Sequence, residues 1–472
     1  MRGLVWLRSD LRLDDNPSFE SAFLECEEVM AVYFYSSEQW KNHHESNVKL
    51  DFLIQNLKSF SKDLSKLNVP LMIVNSANFN SISMELDEFL SDQGIDKIYW
   101  NREFGLNEER RDDEVKASLK AASYPFYSFN DQILFEPGSL KTQQGGDFSV
   151  FTPFKNKWKK EFHNELLPKN FYYRKKNKLN LESNVFTFNF RFKKTHSCDM
   201  SLWPIGEGNA LVRLEKFLSQ QATNYERDRN DPDLEGTSRL SPYLALGLIS
   251  SRRCIQKGYE KNERNLIEKD QGIVKWLDEL IWREFYRNIM HLNPNVSRNQ
   301  PFKDSTKNIV WKYDEHQYKA WCEGQTGFPI IDAAMRQLKY EGWMHNRLRM
   351  VVAMFFTKNM FHDWRLGERF FMENLIDGDF SSNNGGWQWS ASTGTDASPY
   401  FRIFNPISQS EKFDKDGAFI RKYVPELRDL DSREIHFPFG GLLFPEGYFK
   451  PMLDLKESRL FAIETFKSHK DN

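Results

Sequence analysis

The stretch DGDFSSNNGGWQWSASTGTD, from Asp377 to Asp396, crowds carboxylates, amides, glycines and indoles together. A plain core would not set carboxylates beside Trp387 and Trp389, and a plain surface loop would not carry two tryptophans. Asn383 and Asn384 have the donors and acceptors to read the edge of a heterocycle. Gly385 and Gly386 suggest that the backbone approaches something closely. The rival chemistry is a hard-cation site with Asp377, Asp379 and Asp396 as oxygen ligands. Neither EF-hand spacing nor a histidine cluster supports it, so no metal is expected.

Three other stretches carry the same mixture. In KWLDELIWREFYRN, Glu279, Trp282, Arg283 and Tyr286 fall at i, i+3, i+4 and i+7, so they share one helix face. The plain alternative is an amphipathic helix with a Glu279–Arg283 pair worth a few tenths of a kcal/mol. The chemical reading is a carboxylate beside an indole, a setting that favours an acid able to donate to a substrate. In GWMHNRLRMVVAMFF the helical spacing predicts Trp343, Asn346, Arg347 and Met350 on one face, with Arg349 turned toward a different acid. Met350 and Met354 also suit simple core filling. In EGTSRLSPYLALG, Thr237, Ser238 and Ser241 flank a helix start with Pro242 just inside. That is either ordinary N-capping or an anion site suited to phosphate.

The elements that must position these groups can be read from periodicity. GLVWL, VMAVYFY, PLMIVN, KIYWN and YPFYSF are buried strands separated by helical segments such as VKLDFLIQNLKSFSKDLSKL. This alternation predicts a doubly wound, Rossmann-like parallel sheet over residues 1–130. No GxGxxG follows a strand, which disfavours an ordinary dinucleotide site there. Residues 131–205 form a connector: QGGDFSVFTPFKNKWKKEF enters a helix, and KNFYYRKKNKLNLESNVFTFNFRFKK is basic, aromatic and aperiodic. From 206 to 472 the pattern is all-α, ending in LKESRLFAIETFKS.

Composition sets the outer limits. With 472 residues, 40% hydrophobic and 28% charged, the chain is that of a multidomain globular protein. The formal net charge of -2 announces no nucleic-acid or anionic-membrane partner, so any basic footprint is local. Cys26, Cys198, Cys254 and Cys322 are far apart and form no CxxC, which fits a reducing cytoplasm. MRGLVWLRSD is too weakly apolar for a signal peptide, and no run reaches the length of a membrane helix. A cytoplasmic monomer with no membrane partner is expected.

Taken in order, TSRLSPYLALG, WLDELIWREFY, GWMHNRLRM and DGDFSSNNGGWQWSASTGTD resemble the photolyase and cryptochrome flavoproteins. LVWLRSDLRLDDNPSF, FSVFTPFKNKW and YFRIFNPISQSEKFD also match, and the resemblance covers essentially the whole chain. Within the family it looks most like a class I cyclobutane pyrimidine dimer DNA photolyase. Asn346 stands where other members carry histidine, and Asn383 matches the repair pattern. The resemblance implies an α/β antenna domain at 1–130 and a helical domain at 206–472 that binds FAD and DNA.

By the same match, Asp377, Gly378 and Asp379 would hold ribityl and ring groups, Arg349 would pair an aspartate, and Asn383 would contact the flavin ring. Thr237, Ser238, Arg239, Leu240 and Ser241 would cradle the phosphates with Tyr225 nearby, and Trp276 would line the adenine side. Glu279, Asn346 and Asn383 would be catalytic in the light-driven splitting of pyrimidine dimers in DNA by reduced FAD. Trp282 and Trp389 would wall the flipped lesion, with Met350 on the substrate side. Arg229, Arg283, Arg347 and Gln409 would contact DNA. Trp311, Trp364 and Trp387 match the electron relay. Asn107 and Glu108, in NREFGLNEERRDDEV, match the methenyltetrahydrofolate type of antenna site, with His43 and His44 as further wall residues. The rival readings are a cryptochrome-type blue-light sensor without repair, whose long polar tail is lacking, and a helical nucleic-acid-binding protein without flavin.

Overall fold

The computed structural model describes residues 1–174, 179, 181–186, 198–439 and 445–469. Much of the aperiodic part of the connector lies outside the described residues. Packing divides the chain into two units that do not follow chain order. Unit 1 comprises Met1–Lys193, Trp203–Thr223 and Ser238–Pro294; unit 2 comprises Lys194–Leu202, Asn224–Thr237 and Asn295–Asn472.

Unit 1 is built on the expected sheet. β1 (Arg2–Leu7), β2 (Glu28–Tyr35), β3 (Leu71–Asn75), β4 (Lys97–Asn101) and β5 (Phe126–Phe129) are all parallel, in the order β3-β2-β1-β4-β5. Leu4 lies opposite both Met30 and Ile98, so the central strands are apolar along their length. One face buries Leu4, Trp6, Val32 and Trp100 against Leu86, Leu90, Val115 and Leu119 of the Ile82–Asp92 and Leu106–Ala121 helices. Strands covered on both faces read as continuous hydrophobic runs, which is why all five were legible.

The segment after β1 is charged, largely buried and tied into ion pairs. Arg12 pairs with Asp131, Arg252 with Asp15 (2.8 Å) and Asp131 (3.0 Å), and Arg253 with Asp14 (2.6 Å). Arg8 bonds Asp112 at 2.9 Å and lies over the Trp6 ring. Asn16 caps the Pro17–Glu25 helix by accepting from the Phe19 N–H, with Pro17 in the first turn. The 22-residue Gln271–Leu292 helix also belongs to this unit. Its buried Glu284 accepts from the Leu134 and Phe135 N–H groups, and burial pushes its carboxyl up to about 7.

Unit 2 is helical among the described residues. Glu315–Glu323, Pro329–Glu341, Asn346–Met354, Trp364–Met372, Phe380–Ala391, Pro406–Phe413 and Leu455–Ser468 are its longer helices. Asp314, Asp363, Asp379, Asn405 and Asp454 each cap the helix that follows. A π-helical turn, Phe355–Asn359, directly follows Met354. No helix among the described residues is long and apolar enough to cross a membrane.

One local expectation is corrected. Trp343 is not on the helix with Asn346: His345 caps that helix with Nδ1, accepting from the Arg347 N–H at 3.2 Å, so the first helical residue is Asn346. The glycine pair Gly385–Gly386 lies inside the Phe380–Ala391 helix, and a Cβ on Gly386 would meet no protein atom within 4 Å.

One glycine is demanded by both conformation and space. Gly247 has φ +65°, and a Cβ there would stand 1.9 Å from the Ser9 carbonyl oxygen. Gly247→Ala is expected to destabilise unit 1 by about 2 kcal/mol or more, read as a lower denaturant midpoint at unchanged slope.

Candidate functional site

The Gln271–Leu292 helix of unit 1 presents the predicted stripe. Glu279, Trp282, Arg283 and Tyr286 are each half-buried, whereas Trp276, Leu277, Leu280, Ile281 and Phe285 are buried. Trp282 is held flat on Phe151, with ring centroids 3.6 Å apart and planes at 10°. The FSVFTPFKNKW motif therefore supplies the backing for this indole. Arg283 donates to the carbonyls of Gln132 (2.9 Å) and Leu244 (3.2 Å), so part of its guanidinium is committed inside the unit.

Beside that helix, the Trp276 indole N–H reaches Ser238 Oγ at 3.4 Å. Arg239 adopts the left-handed region at φ +49°, and Leu240 leads into a short Ser241–Ala245 helix. The N-cap position falls on Leu240, whose side chain has no group to cap with. Thr237 lies in unit 2, where Gly236 passes so close to Asp228 that a Cβ would meet its carbonyl oxygen at 2.7 Å. In that same segment Arg229 lies over the buried Tyr225 ring at 5.2 Å.

In unit 2 the opening stretch resolves into a capped helix preceded by a buried acid. Asp377 is 5% exposed and accepts from Arg349 Nη2 through both oxygens, at 2.8 and 3.1 Å. Arg349 Nε also donates to the Met344 carbonyl. Gly378 follows, and Asp379 caps the Phe380–Ala391 helix, accepting from the Ser382 N–H at 2.9 Å. One turn on, Asn383 Nδ2 donates to the Glu368 carbonyl oxygen at 2.9 Å. Buried Asn384 accepts from Gln388 Nε2 with its Oδ1, while its Nδ2 has no acceptor among the described residues.

Glu368 was missed in the sequence. Burial pushes its carboxyl up to about 7, against weaker pull from Asn383 and Arg369. The signal was available: Trp364, Gly367, Glu368, Phe371 and Met372 are the buried stripe of one helix, so a glutamate occupies a core position.

The helix opened by Asn346 carries the remaining groups. Asn346 is exposed, and Arg347 and Met350 are half-buried. Arg347 donates to Asn230 Oδ1 at 2.6 and 3.2 Å and lies over Phe413. Trp389 and Gln409 are half-buried in the same unit. Trp387 and Trp364 are buried in one hydrophobic cluster, and half-buried Trp311 packs against it. Gly367 leaves room for the Trp387 indole, because a Cβ there would lie 2.2 Å from it. Trp321, unremarked in the sequence, meets Trp387 edge-on at 6.1 Å.

The antenna candidates also come together, in unit 1. Asn107 Nδ2 is 3.0 Å from His43 Nε2, and Glu108 lies 3.6 Å from His43 Nδ1. Burial raises the Glu108 carboxyl, with His43 pulling it back. His44 is not part of these contacts. No group of three or more His, Cys, Asp or Glu among the described residues could hold a metal.

The two parts of the chain define, respectively, a parallel α/β nucleotide-type fold and a helical site of buried acids, amides and indoles. Residues 3–171 match the family described as DNA photolyase, and residues 276–468 match the FAD binding domain of DNA photolyase. The chain is 39% identical to the deoxyribodipyrimidine photo-lyase of Vibrio cholerae serotype O1, over 99% of both chains. It superposes on a bacterial class III photolyase from Agrobacterium tumefaciens with TM-score 0.89 and 32% identity, covering 100% of this chain and 98% of that one. A Synechocystis cryptochrome gives TM-score 0.83 and 25% identity, covering 98% and 99%. The chain belongs to the DNA photolyase family.

The raised Glu368 carboxyl has a pH signature. Its protonated form is favoured in the folded chain, so the unfolded chain ionises first as pH rises from the ordinary 4.5 to about 7. Wild type should lose stability across that window relative to Glu368→Gln and level off above it, measured by denaturant midpoints at pH 5 and pH 8.

Proposed function

We propose that this protein is a deoxyribodipyrimidine photo-lyase that repairs cyclobutane pyrimidine dimers in DNA by light. The observation that carries the reading is the joint presence of half-buried Glu279, Trp282 and Asn383, exposed Asn346, and buried Asp377 paired with Arg349. FAD is the resident cofactor, and the residues present fit it. Asn384 offers a buried amide N–H with no acceptor among the described residues, and Trp276 and Ser238 offer an indole and a hydroxyl. Bound and fully reduced, FAD supplies under blue light the electron that opens the cyclobutane ring and takes it back.

The chain's own residues do the rest. Thr237, Ser238, Arg239, Leu240 and Ser241 cradle the phosphates with Tyr225 alongside, and Trp276 lines the adenine. Asp377, Gly378 and Asp379 hold ribityl and ring groups, with Arg349 orienting Asp377 through both of its oxygens. Asn383 faces the flavin ring. Glu279 and Asn346 hydrogen-bond the base edges of the flipped dimer, while Trp282, Trp389 and Met350 exclude water from it. Phe151 fixes the Trp282 plane, so that wall is preorganised. Arg229, Arg283, Arg347 and Gln409 contact the DNA strand. Trp311, Trp364 and Trp387 carry electrons inward from the surface to keep the cofactor reduced. His43, Asn107 and Glu108 hold an antenna of the methenyltetrahydrofolate type. The class I assignment rests on Asn346 and Asn383. The functional division is 1–130 for the antenna, 131–205 for the connector and 206–472 for catalysis. The protein works as a cytoplasmic monomer.

The deciding experiment mixes reduced flavoprotein with an oligonucleotide carrying one thymine dimer and follows thymine absorbance under blue light. Recovery that needs both light and reduced flavin is expected. Bound, photoreducible flavin with no recovery would instead indicate a blue-light sensor. Glu279→Gln should lower the repair yield several-fold with flavin still bound, as expected for loss of a hydrogen bond to developing charge. Trp387→Phe should slow photoreduction by about tenfold or more, a barrier change of about 1.4 kcal/mol, and leave repair by chemically reduced enzyme intact. Arg229→Ala should weaken damaged and undamaged DNA alike and reduce the salt slope by about one.

A further inference from the structure

Lys358 is fully buried in unit 2, on the π-helical turn Phe355–Asn359. No carboxylate lies within 4 Å of its ammonium among the described residues. Its nitrogen instead donates to Ser392 Oγ at 2.6 Å and to the Tyr400 carbonyl at 3.0 Å, and stands 4.6 Å over the Phe466 ring. Burial, with Lys303 adding to it, pushes this amine down to about 7, so the position is costly for a charged lysine and a methionine would fill the space more cheaply. Its partners show what the cost secures.

Ser392 is the left-handed residue, φ 66°, that ends the Phe380–Ala391 helix. Its hydroxyl accepts from Lys358 and donates to the Ser398 carbonyl at 2.6 Å. The Ser398 N–H in turn donates to the Trp389 carbonyl at 3.2 Å. The ammonium therefore sits at the negative end of that helix and joins its last turn to the 398–400 segment. Trp389 is the residue whose carbonyl closes this circuit.

We infer that Lys358 is a positioning residue for the substrate wall: its hydrogen bonds to Ser392 and Tyr400 fix the last turn of the helix bearing Trp389. Lys358 lies on a π-helical turn, and such turns recur at functional sites. The inference rests on the reading of Trp389 as a wall against the dimer.

The test compares Lys358→Met, Lys358→Gln, Trp389→Ala and the Lys358→Met/Trp389→Ala pair in the FAD-loaded enzyme. The probes are an oligonucleotide carrying one thymine dimer and its undamaged twin. Lys358→Met should keep the flavin spectrum and the photoreduction rate, leave undamaged DNA binding unchanged, and weaken dimer binding by about tenfold. Lys358→Gln keeps amide donors and should recover most of that loss. The double variant should lose no more than Trp389→Ala alone, because both act through one wall. Wild-type dimer affinity in Lys358→Met, or losses that multiply in the double variant, would overturn the role of Lys358. Unchanged dimer affinity in Trp389→Ala would overturn the wall reading itself. Should Lys358→Met fail to accumulate as folded protein, Ser392→Ala breaks the same circuit, and an unchanged dimer affinity there would overturn the inference.

Discussion

Buried charge that must be paired is the constraint on which unit 1 depends. Arg12, Arg252 and Arg253 meet Asp14, Asp15 and Asp131 at the carboxyl end of the sheet. Removing one partner of such a group leaves its mate buried and unpaired, at a cost of about 3–5 kcal/mol. The network therefore locks the segment after β1 to the loop at 130–131 and to the Ser251–Lys261 helix. It also explains the run LRSDLRLDDNPSF, which neither a strand nor a solvated loop requires. Arg8 extends the same logic to the Leu106–Ala121 helix through Asp112, and that helix carries Asn107 and Glu108.

In unit 2 polar groups are set into apolar stripes rather than gathered in a loop. Asp377, Glu368, Asn384 and Lys358 are all at most 6% exposed and sit among Trp364, Phe371, Trp387 and Phe356 or their neighbours. Each carries a different solution to the same cost. Asp377 has a bidentate arginine, Glu368 shifts toward its neutral form, and Lys358 bonds a hydroxyl and a carbonyl. Asn384 spends its oxygen on Gln388 and keeps one donor without an acceptor among the described residues.

All five strands and the helical second half were legible because hydrophobic period is a strong local signal. The Glu279–Tyr286 stripe was legible for the same reason: four residues at helical spacing emerge together as the half-buried face. What escaped were features set by tertiary partners. Trp343 looked helical, but the His345 ring captured the Arg347 N–H and moved the helix start. The stretch from Asp377 had no element assigned to it, because the Asp379 cap that starts its helix and the glycines inside that helix give no hydrophobic period. Glu368 and Lys358 lay inside apolar runs, where a single charge is easily taken for a solvated end. The units themselves could not be read from order along the chain, because Gln271–Leu292 packs with residues about a third of the chain earlier only after folding.

That discontinuity bears on synthesis. The sheet is encoded by residue 129, yet the helix that receives Leu134, Phe135 and Phe151 is not complete until residue 292. At ordinary elongation rates the interval is on the order of ten seconds. During that time the helices that cover the sheet are already made, while Leu134, Phe135 and Phe151 still lack the helix they pack on. The sheet layer can thus close early, and the segment that follows it waits longest for its partner, a delay that slower translation lengthens.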